Sequence, residues 1–284
     1  MPTSIRPPAV AGLFYPSDAG QLSLEISQML AEAQPFVRPD DIVPIKALIV
    51  PHAGYMYSGP VAACAYARLA AQRDRIRRVV MFGPAHRMPF RGLATTAAKV
   101  WRTPLGDVPI DRAAIDALLI QRDLQAQIEE LEPAHAQEHC LEVQLPFLQT
   151  VLANFTLVPW IVGMAPSHAV AAVLERLWGG DETLIVISSD LSHYHPYDDA
   201  QNLDRDTIGN VLKLQQIESH EQACGATPIN GLVEIAQRKG LEPELLDLRN
   251  SGDTAGDRSR VVGYAAIAFT QTNGNPNHVH ETRH

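Results

Sequence analysis

Three apolar runs in the sequence share one design, because each of them ends in a polar loop that carries a histidine. The three pairs are 47–50 with His52, 78–82 with His86, and 183–187 with His193. Short β-branched runs bounded by proline or glycine are typical of buried strands in an α/β sheet. Ligands of such sheets bind beyond the carboxyl ends of the strands. If the three strands are neighbours, we expect their histidine loops to converge on one crevice.

The rest of the pattern alternates between helical and strand-like segments, which predicts a layered α/β fold. Leu22, Ile26, Met29 and Leu30 follow helical spacing, and Pro35 ends that pattern. Further predicted features are a helix start at 58–60, a helix from about Glu138, and strands at 156–162, 245–248 and 261–269. We predict one domain over residues 1–271, followed by a polar, disordered tail at 272–284.

Composition and charge narrow the classes of function. The 284 residues carry a net charge of −9 and no basic cluster beyond 73–78, which argues against a nucleic-acid partner. The three cysteines do not make a disulfide framework. The sequence has neither a secretory signal at its start nor an apolar stretch of membrane-spanning length. We therefore expect a cytoplasmic protein that does not act on membranes.

The loop histidines are the first candidates for chemistry. Two imidazoles on adjacent loops can hold a transition metal, so His52 and His86 are predicted metal ligands. The alternative is that one of them is a hydrogen-bonded loop residue. Asp190 lies three residues before His193 and can orient it as a general acid or base. The alternative is a helix-capping Asp190 beside a surface His193, and His195 is a weaker candidate that faces solvent.

Two further motifs carry weaker signals. The segment from His135 to His139 fits the HxxEH pattern of inverted zinc peptidases, a five-residue pattern that also arises by chance. Cys224 follows a helix break, where a thiol near a metal can ionise and become a ligand. Taken alone, Cys224 is better explained as a packed cysteine. Cys64 lies in an apolar helix and is predicted to be structural.

Several motifs together resemble the Memo family over about residues 5–270. In chain order they are RPPAVAGLFYP, PHAGYMYSG, GPAH, EHCLEVQLPFL, SSDLSHY, ACGATPI and NSGD-TAGD-RVVGYAAIAF. The resemblance implies a three-layer α/β/α sandwich with a mostly parallel central sheet, similar to the catalytic subunits of class III extradiol ring-cleaving dioxygenases. By position in the motifs it implies metal ligands His52, His86 and Cys224, catalytic residues His193 and Asp190, and second-rank pocket residues Glu138, His139 and Tyr57. Cys140 stands where the family commonly has serine and is read as structural.

The same resemblance suggests an activity. A His₂Cys ligand set is softer than the His₂Glu set of the dioxygenases, so Fe(II) or Cu is the expected cofactor and Zn is less expected. We therefore expect an oxidoreductase acting on an unidentified ligand, either a small molecule or a peptide. Bacterial relatives are associated with AMMECR-type and radical SAM proteins, which makes these the expected partners. The alternatives are a non-catalytic binding module that uses the same pocket, and zinc-dependent hydrolysis.

Overall fold

The computed structural model of the protein describes residues 5–33 and 43–271. The predicted tail at 272–284 and the predicted helix end at Pro35 lie outside the described residues. The described strands, numbered in chain order, are β1 (Ile5–Arg6), β2 (Ile45–Val50), β3 (Arg78–Pro84), β4 (Leu93–Thr95), β5 (Val100–Thr103), β6 (Gly106–Pro109), β7 (Ile128–Glu130), β8 (Thr156–Val162), β9 (Thr183–Ser188), β10 (His193–His195), β11 (Leu241–Asn250) and β12 (Val261–Gln271).

The described α-helices alternate with these strands. They are α1 (Ala19–Ala33), α2 (Tyr55–Ala67), α3 (Arg112–Leu119), α4 (Glu132–Ala136), α5 (Leu145–Val151), α6 (Ser167–Leu177), α7 (Tyr197–Leu212), α8 (Ala226–Lys239) and α9 (Ser251–Thr254). The alternation confirms the predicted α/β class.

The three histidine-bearing strands are neighbours in one nine-stranded sheet. Its order is β10-β12-β2-β9-β3-β8-β4-β7, and β11 pairs with β12. Strands β2, β9, β3 and β8 run parallel to one another. The sequence-based expectation of adjacent parallel strands is therefore confirmed for the centre of the sheet. The flanks differ, because β12 runs antiparallel to β2, β10 and β11.

Two groups of helices cover this sheet. Helices α1, α2 and α5 pack against one another, and α2 also contacts β2, β11 and β12. Helices α6 and α8 pack together, and α8 contacts β3, β9 and β11. All six residues of β2 and all six of β9 are buried, as expected for central strands covered on both faces. A small separate sheet, β1-β5-β6, lies outside this arrangement.

The predicted helix start at 58–60 is wrong. Helix α2 begins three residues earlier, at Tyr55, so Pro60 lies inside the helix. The main-chain N–H of Tyr55 donates to the carbonyl of Phe14 at 2.8 Å, which satisfies a donor at the helix start. The Ser58 hydroxyl donates to the carbonyl of Ala53 and does not cap the helix. A partner 41 residues away along the chain sets this boundary, so local sequence could not reveal it.

The predicted helix from about Glu138 is also wrong at its start. Helix α5 begins only at Leu145, after a 3₁₀ turn at Glu142–Gln144. The Glu138 carboxylate accepts the main-chain N–H groups of His139 and Cys140, at 3.0 and 3.2 Å. Because this side chain satisfies main-chain donors locally, the segment forms a loop. That loop brings His139 to the carboxyl edge of the sheet.

Among the residues that the structure describes, no helix has the length and apolarity that crossing a bilayer requires.

Candidate metal-binding pocket

Three imidazoles meet at the carboxyl edge of the central strands. His52 follows β2, His86 follows β3, and His139 comes from the loop between α4 and α5. Their ring centroids are 4.8 to 5.4 Å apart, and one nitrogen from each ring lies within 4.8 Å of the other two. The donor set fits a transition metal, for which imidazole nitrogen is a common ligand.

His52 is the most tightly held of the three. Its ring is buried, and Nδ1 lies 3.0 Å from the Ser188 hydroxyl at the end of β9. Its main-chain N–H donates to the Asp190 carboxylate at 2.7 Å. Burial lowers the pKa of His52 well below its ordinary value, and the neighbouring His86 and His139 add to this effect. The ring is therefore neutral at physiological pH, which is the form that binds metal.

Glu138 organises the other two histidines. Its carboxylate contacts Nδ1 of His86 at 2.9 Å and Nδ1 of His139 at 3.2 Å, the second without hydrogen-bond alignment. It also accepts the main-chain N–H of His86 at 2.6 Å. Burial opposes ionisation of Glu138, but the contacts with His139 and His86 outweigh it, so its pKa lies well below the usual range. The carboxylate behind the His86 imidazole fixes its tautomer, so Nε2 of His86 is left for a ligand.

Cys224 borders the trio without joining it. Its sulfur lies 3.4 Å from Nε2 of His52, a separation that suits two ligands of one tetrahedral metal at bond lengths of about 2.1 and 2.3 Å. Among the described residues, however, the cluster of donor atoms within 4.8 Å that contains His52 and His86 is completed by His139 and not by Cys224. Burial raises the pKa of the Cys224 thiol to about 12, with a further contribution from the Asp190 carboxylate.

The predicted Asp190–His193 pair takes a different form in the structure. Within residues 5–33 and 43–271, no hydrogen bond joins the two side chains. The Asp190 carboxylate bonds the main chain of His52 instead, and burial raises the pKa of Asp190. Both residues nevertheless line the same cavity. Asp190 therefore holds His52 in position, while His193 lies half-buried in the cavity wall.

The trio opens into a cavity of about 620 Å³. Tyr57 lines it, as the resemblance implied, and is 36% exposed. Phe14 adds an apolar wall and packs on the His139 ring at a centroid distance of 4.7 Å. A cavity of this volume with a few converging polar groups suits a small ligand.

The other candidate residues do not complete the trio, although the Cys140 sulfur lies within 4.8 Å of donor atoms of His86 and Glu138. His135 is fully buried, with Nε2 3.1 Å from the carbonyl of Ala94, and burial lowers its pKa to about 3. His135 therefore does not act with His139 as the HxxEH motif required. His195 is half-buried and does not line the cavity. Cys64 and Cys140 are buried and donate to main-chain carbonyls, as expected of structural thiols.

A buried ion pair that the sequence does not predict anchors this region. Arg6 is buried and donates to the Glu142 carboxylate at 2.8 Å and to the carbonyls of His135 and Glu138. The Glu142 carboxylate also accepts the Tyr15 hydroxyl at 2.7 Å. The two segments that this pair joins supply Phe14 and His139 to the pocket. A charged pair separated by 136 residues leaves no local signal in the sequence.

Asp204 supports the loop that carries His193 and gives a prediction about pH. Its carboxylate accepts the Ser192 main-chain N–H at 3.0 Å and lies so close to Gly263 that a Cβ there would be 2.0 Å from Oδ2. Burial raises the pKa of Asp204 to about 6, against an ordinary value of 3.8.

Because the folded-state pKa is raised, protonation of Asp204 stabilises the native state fully below pH 4, and this contribution is lost as pH rises through 6. We expect the free energy of unfolding to fall by about 2–3 kcal/mol from this group over that window. Asp204→Asn should lack this part of the pH dependence in urea denaturation, while Asp206→Asn, on the exposed side of α7, should keep it. Parallel pH curves for the wild type and Asp204→Asn would contradict this assignment.

Comparison with known proteins identifies the sequence family that this chain resembles. The sequence profile described as "Memo-like protein" matches residues 6–268. A "MEMO1 family protein" of Ignicoccus hospitalis is 37% identical, covering 93% of this chain and 98% of the relative. "MEMO1 family protein MK0963" of Methanopyrus kandleri is 38% identical with the same coverage, and a "MEMO1 family protein" of Aquifex aeolicus is 36% identical over 93% and 99%.

Among solved structures, the fold is similar to that of "uncharacterized protein JW3007" from Escherichia coli K12. The superposition has a TM-score of 0.50 at 13% sequence identity and covers 79% of this chain and 99% of that one. At this identity the likeness concerns the fold alone.

Proposed function

The chain belongs to the Memo-like protein family, and on that premise we propose that it is a metal-dependent oxidoreductase whose layered α/β/α architecture is related to class III extradiol dioxygenases. The observation that carries the proposal is the convergence of His52, His86 and His139 on one edge of the sheet, at the floor of a cavity. Cytoplasmic location and association with AMMECR-type and radical SAM proteins belong to the same proposal and rest on the family resemblance.

In this proposal His52 and His86 hold one Fe(II) or Cu ion. Cys224 is the third ligand, as the family motif implies, and its 3.4 Å approach to His52 supports this. His139 is the competing third donor on geometry. When bound, the ion would supply one-electron redox chemistry.

The surrounding side chains have separate tasks. Asp190 holds the His52 main chain, Ser188 fixes the His52 ring, and Glu138 fixes the His86 ring. His193 lies in the cavity wall, where its imidazole can take a proton from the ligand and return it. Phe14 and Tyr57 line the apolar part of the cavity and exclude water from the ligand.

Oxygen uptake tests the proposal. Protein loaded with iron or copper is mixed with a panel of small reductants, and consumption is followed with an electrode. We expect uptake by the wild type and a loss of about 10²–10⁴-fold in His193→Gln with unchanged metal content. His195→Gln is the matched control, because that histidine does not line the cavity. A fully loaded wild type that consumes no oxygen would overturn the oxidoreductase proposal.

A binding module is the second candidate. It is favoured by the apolar groups exposed around the cavity, Leu13 at 81% and Tyr194 at 62% exposure, which suit a peptide as well as a small molecule. A protein that keeps its metal but turns over no substrate is the result that a binding module predicts.

A further inference from the structure

The mouth of the histidine cavity carries a stacked pair that the family motifs do not assign a role. The Arg260 guanidinium lies over the ring of Tyr194, 5.1 Å from its centroid, and both residues line the cavity. We infer that Arg260, held on Tyr194, is the specificity-determining residue that binds an oxyanion of the ligand. The inference deepens the proposed function, because it rests on this cavity being the ligand site.

The backbone at Tyr194 indicates that the fold enforces the position of this side chain. Strand β10 pairs with β12 in the register His193 to Val262 and His195 to Val261, so the ladder is irregular between them. Tyr194 sits at that irregularity with φ of +63°, a left-handed conformation that is uncommon for an aromatic residue. Bulges of this kind, when they lie beside an active or binding site, redirect side chains. The backbone strain that they carry persists only where the surrounding structure enforces it. Here the bulge places Tyr194 at the mouth of the histidine cavity.

The charges of the cavity point to an anion. Among the described lining residues, Arg260 is the single lysine or arginine and Asp190 the single carboxylate. Asp190 is already engaged by the main chain of His52. Within the described ranges, no carboxylate lies in ion-pair distance of Arg260, so the guanidinium charge is not neutralised by an ion pair and can receive an anionic ligand. A guanidinium offers a planar fork that matches a carboxylate.

A neighbouring arginine provides the comparison. Arg258 also stacks on a tyrosine, 4.2 Å from the centroid of Tyr197, and is exposed. The Tyr197 hydroxyl donates to the Asp253 carboxylate at 2.6 Å, and Arg258 does not line the cavity. The two arginines therefore share exposure and stacking, and they differ in access to the cavity.

The ligand that this arrangement fits bears a metal-binding or oxidisable end and an anionic end. The first end lies at the imidazoles on the cavity floor, and the second lies at Arg260. The cavity walls, with Phe14, Tyr57 and Tyr264, accept an apolar body between the two ends. The ligand class is therefore a small organic oxyanion.

Binding of benzoate and benzamide to the full chain tests this inference. The two probes share a ring and differ in charge, and ligand-detected NMR measures their binding without any turnover. We expect the wild type to bind benzoate about fivefold or more tightly than benzamide, and Arg260→Gln to lose the difference. Arg258→Gln should keep it. Phenylphosphonate in place of benzoate tells whether the guanidinium prefers a tetrahedral oxyanion, and either preference supports the inference.

Equal binding of benzoate and benzamide by the wild type, including no binding of either, would overturn the inference. So would an equal loss in Arg258→Gln and Arg260→Gln, because that result indicates general surface charge. Metal content is measured on the same samples. A wild type without metal that still prefers benzoate would leave the oxyanion site standing and remove the proposed redox function, whereas a loaded wild type without the preference would do the reverse.

Discussion

Glu142→Gln is expected to lower the free energy of unfolding by about 3–5 kcal/mol, because it leaves the Arg6 guanidinium buried without its counter-charge. The Glu142 side chain is fully buried. Its carboxylate accepts Arg6 Nη1 at 2.8 Å, the N–H groups of Ala9 and Val10 at 2.7 and 3.0 Å, and the Tyr15 hydroxyl at 2.7 Å. Glutamine offers one acceptor oxygen and turns an amide donor toward groups that are themselves donors.

Urea denaturation followed by far-UV circular dichroism measures this loss. The matched control is Asp107→Asn, which breaks an ion pair with Arg102 at a similar distance, 2.7 Å, on the exposed face of the β5–β6 hairpin. Solvent screens that pair, so its loss should leave the unfolding free energy nearly unchanged. If Glu142→Gln were no more destabilising than Asp107→Asn, the Arg6–Glu142 pair would not anchor the segment that carries Phe14.

The second large effect concerns the metal ligands. His86→Ala should weaken metal binding by more than about 100-fold, since removal of an outer-shell partner alone typically costs 10–100-fold. The two candidates for third ligand are then separated by Cys224→Ser and His139→Gln. If Cys224 is the ligand, Cys224→Ser should weaken Cu(I) binding far more than Zn binding, because thiolate is the softer donor.

In that case His139→Gln should have the smaller effect, about tenfold, through the loss of its contact with Glu138. Competition titration against a chromophoric chelator measures both variants under nitrogen. Should His139→Gln abolish binding while Cys224→Ser retains it, the third ligand is His139 and the family-based assignment of Cys224 fails. Circular dichroism of each variant separates ligand loss from unfolding.

The parts of the fold that could be predicted are those that local sequence encodes. The apolar run of β2 and the polar turn at His52 are adjacent in the chain, so strand and loop are visible together. The same holds for β3 with His86. Parallel neighbours bring such loops together as a matter of sheet geometry, which is why the crevice could be predicted.

The parts that were missed depend on contacts distant in sequence. The segment that begins at Glu138 forms a loop instead of a helix, because the Glu138 carboxylate also holds His86, 52 residues away. The sequence favours a pairing of Asp190 with the nearby His193, yet the Asp190 carboxylate bonds the main chain of His52, 138 residues away. Main-chain donors leave no trace in composition. The motifs imply Cys224 as a ligand and His139 only as a pocket residue, because a motif does not show that the Glu138 loop turns the His139 ring toward His52 and His86.

Metal content is the most direct test of the central claim that His52 and His86 hold a redox metal. The wild type, His52→Ala and the control His195→Ala are purified under nitrogen, and iron, copper and zinc are read by mass spectrometry. We predict close to one iron or copper per chain in the wild type and in His195→Ala, and almost none in His52→Ala. A wild type that takes up neither iron nor copper after reconstitution, or a His52→Ala variant that keeps its full complement, would contradict the claim.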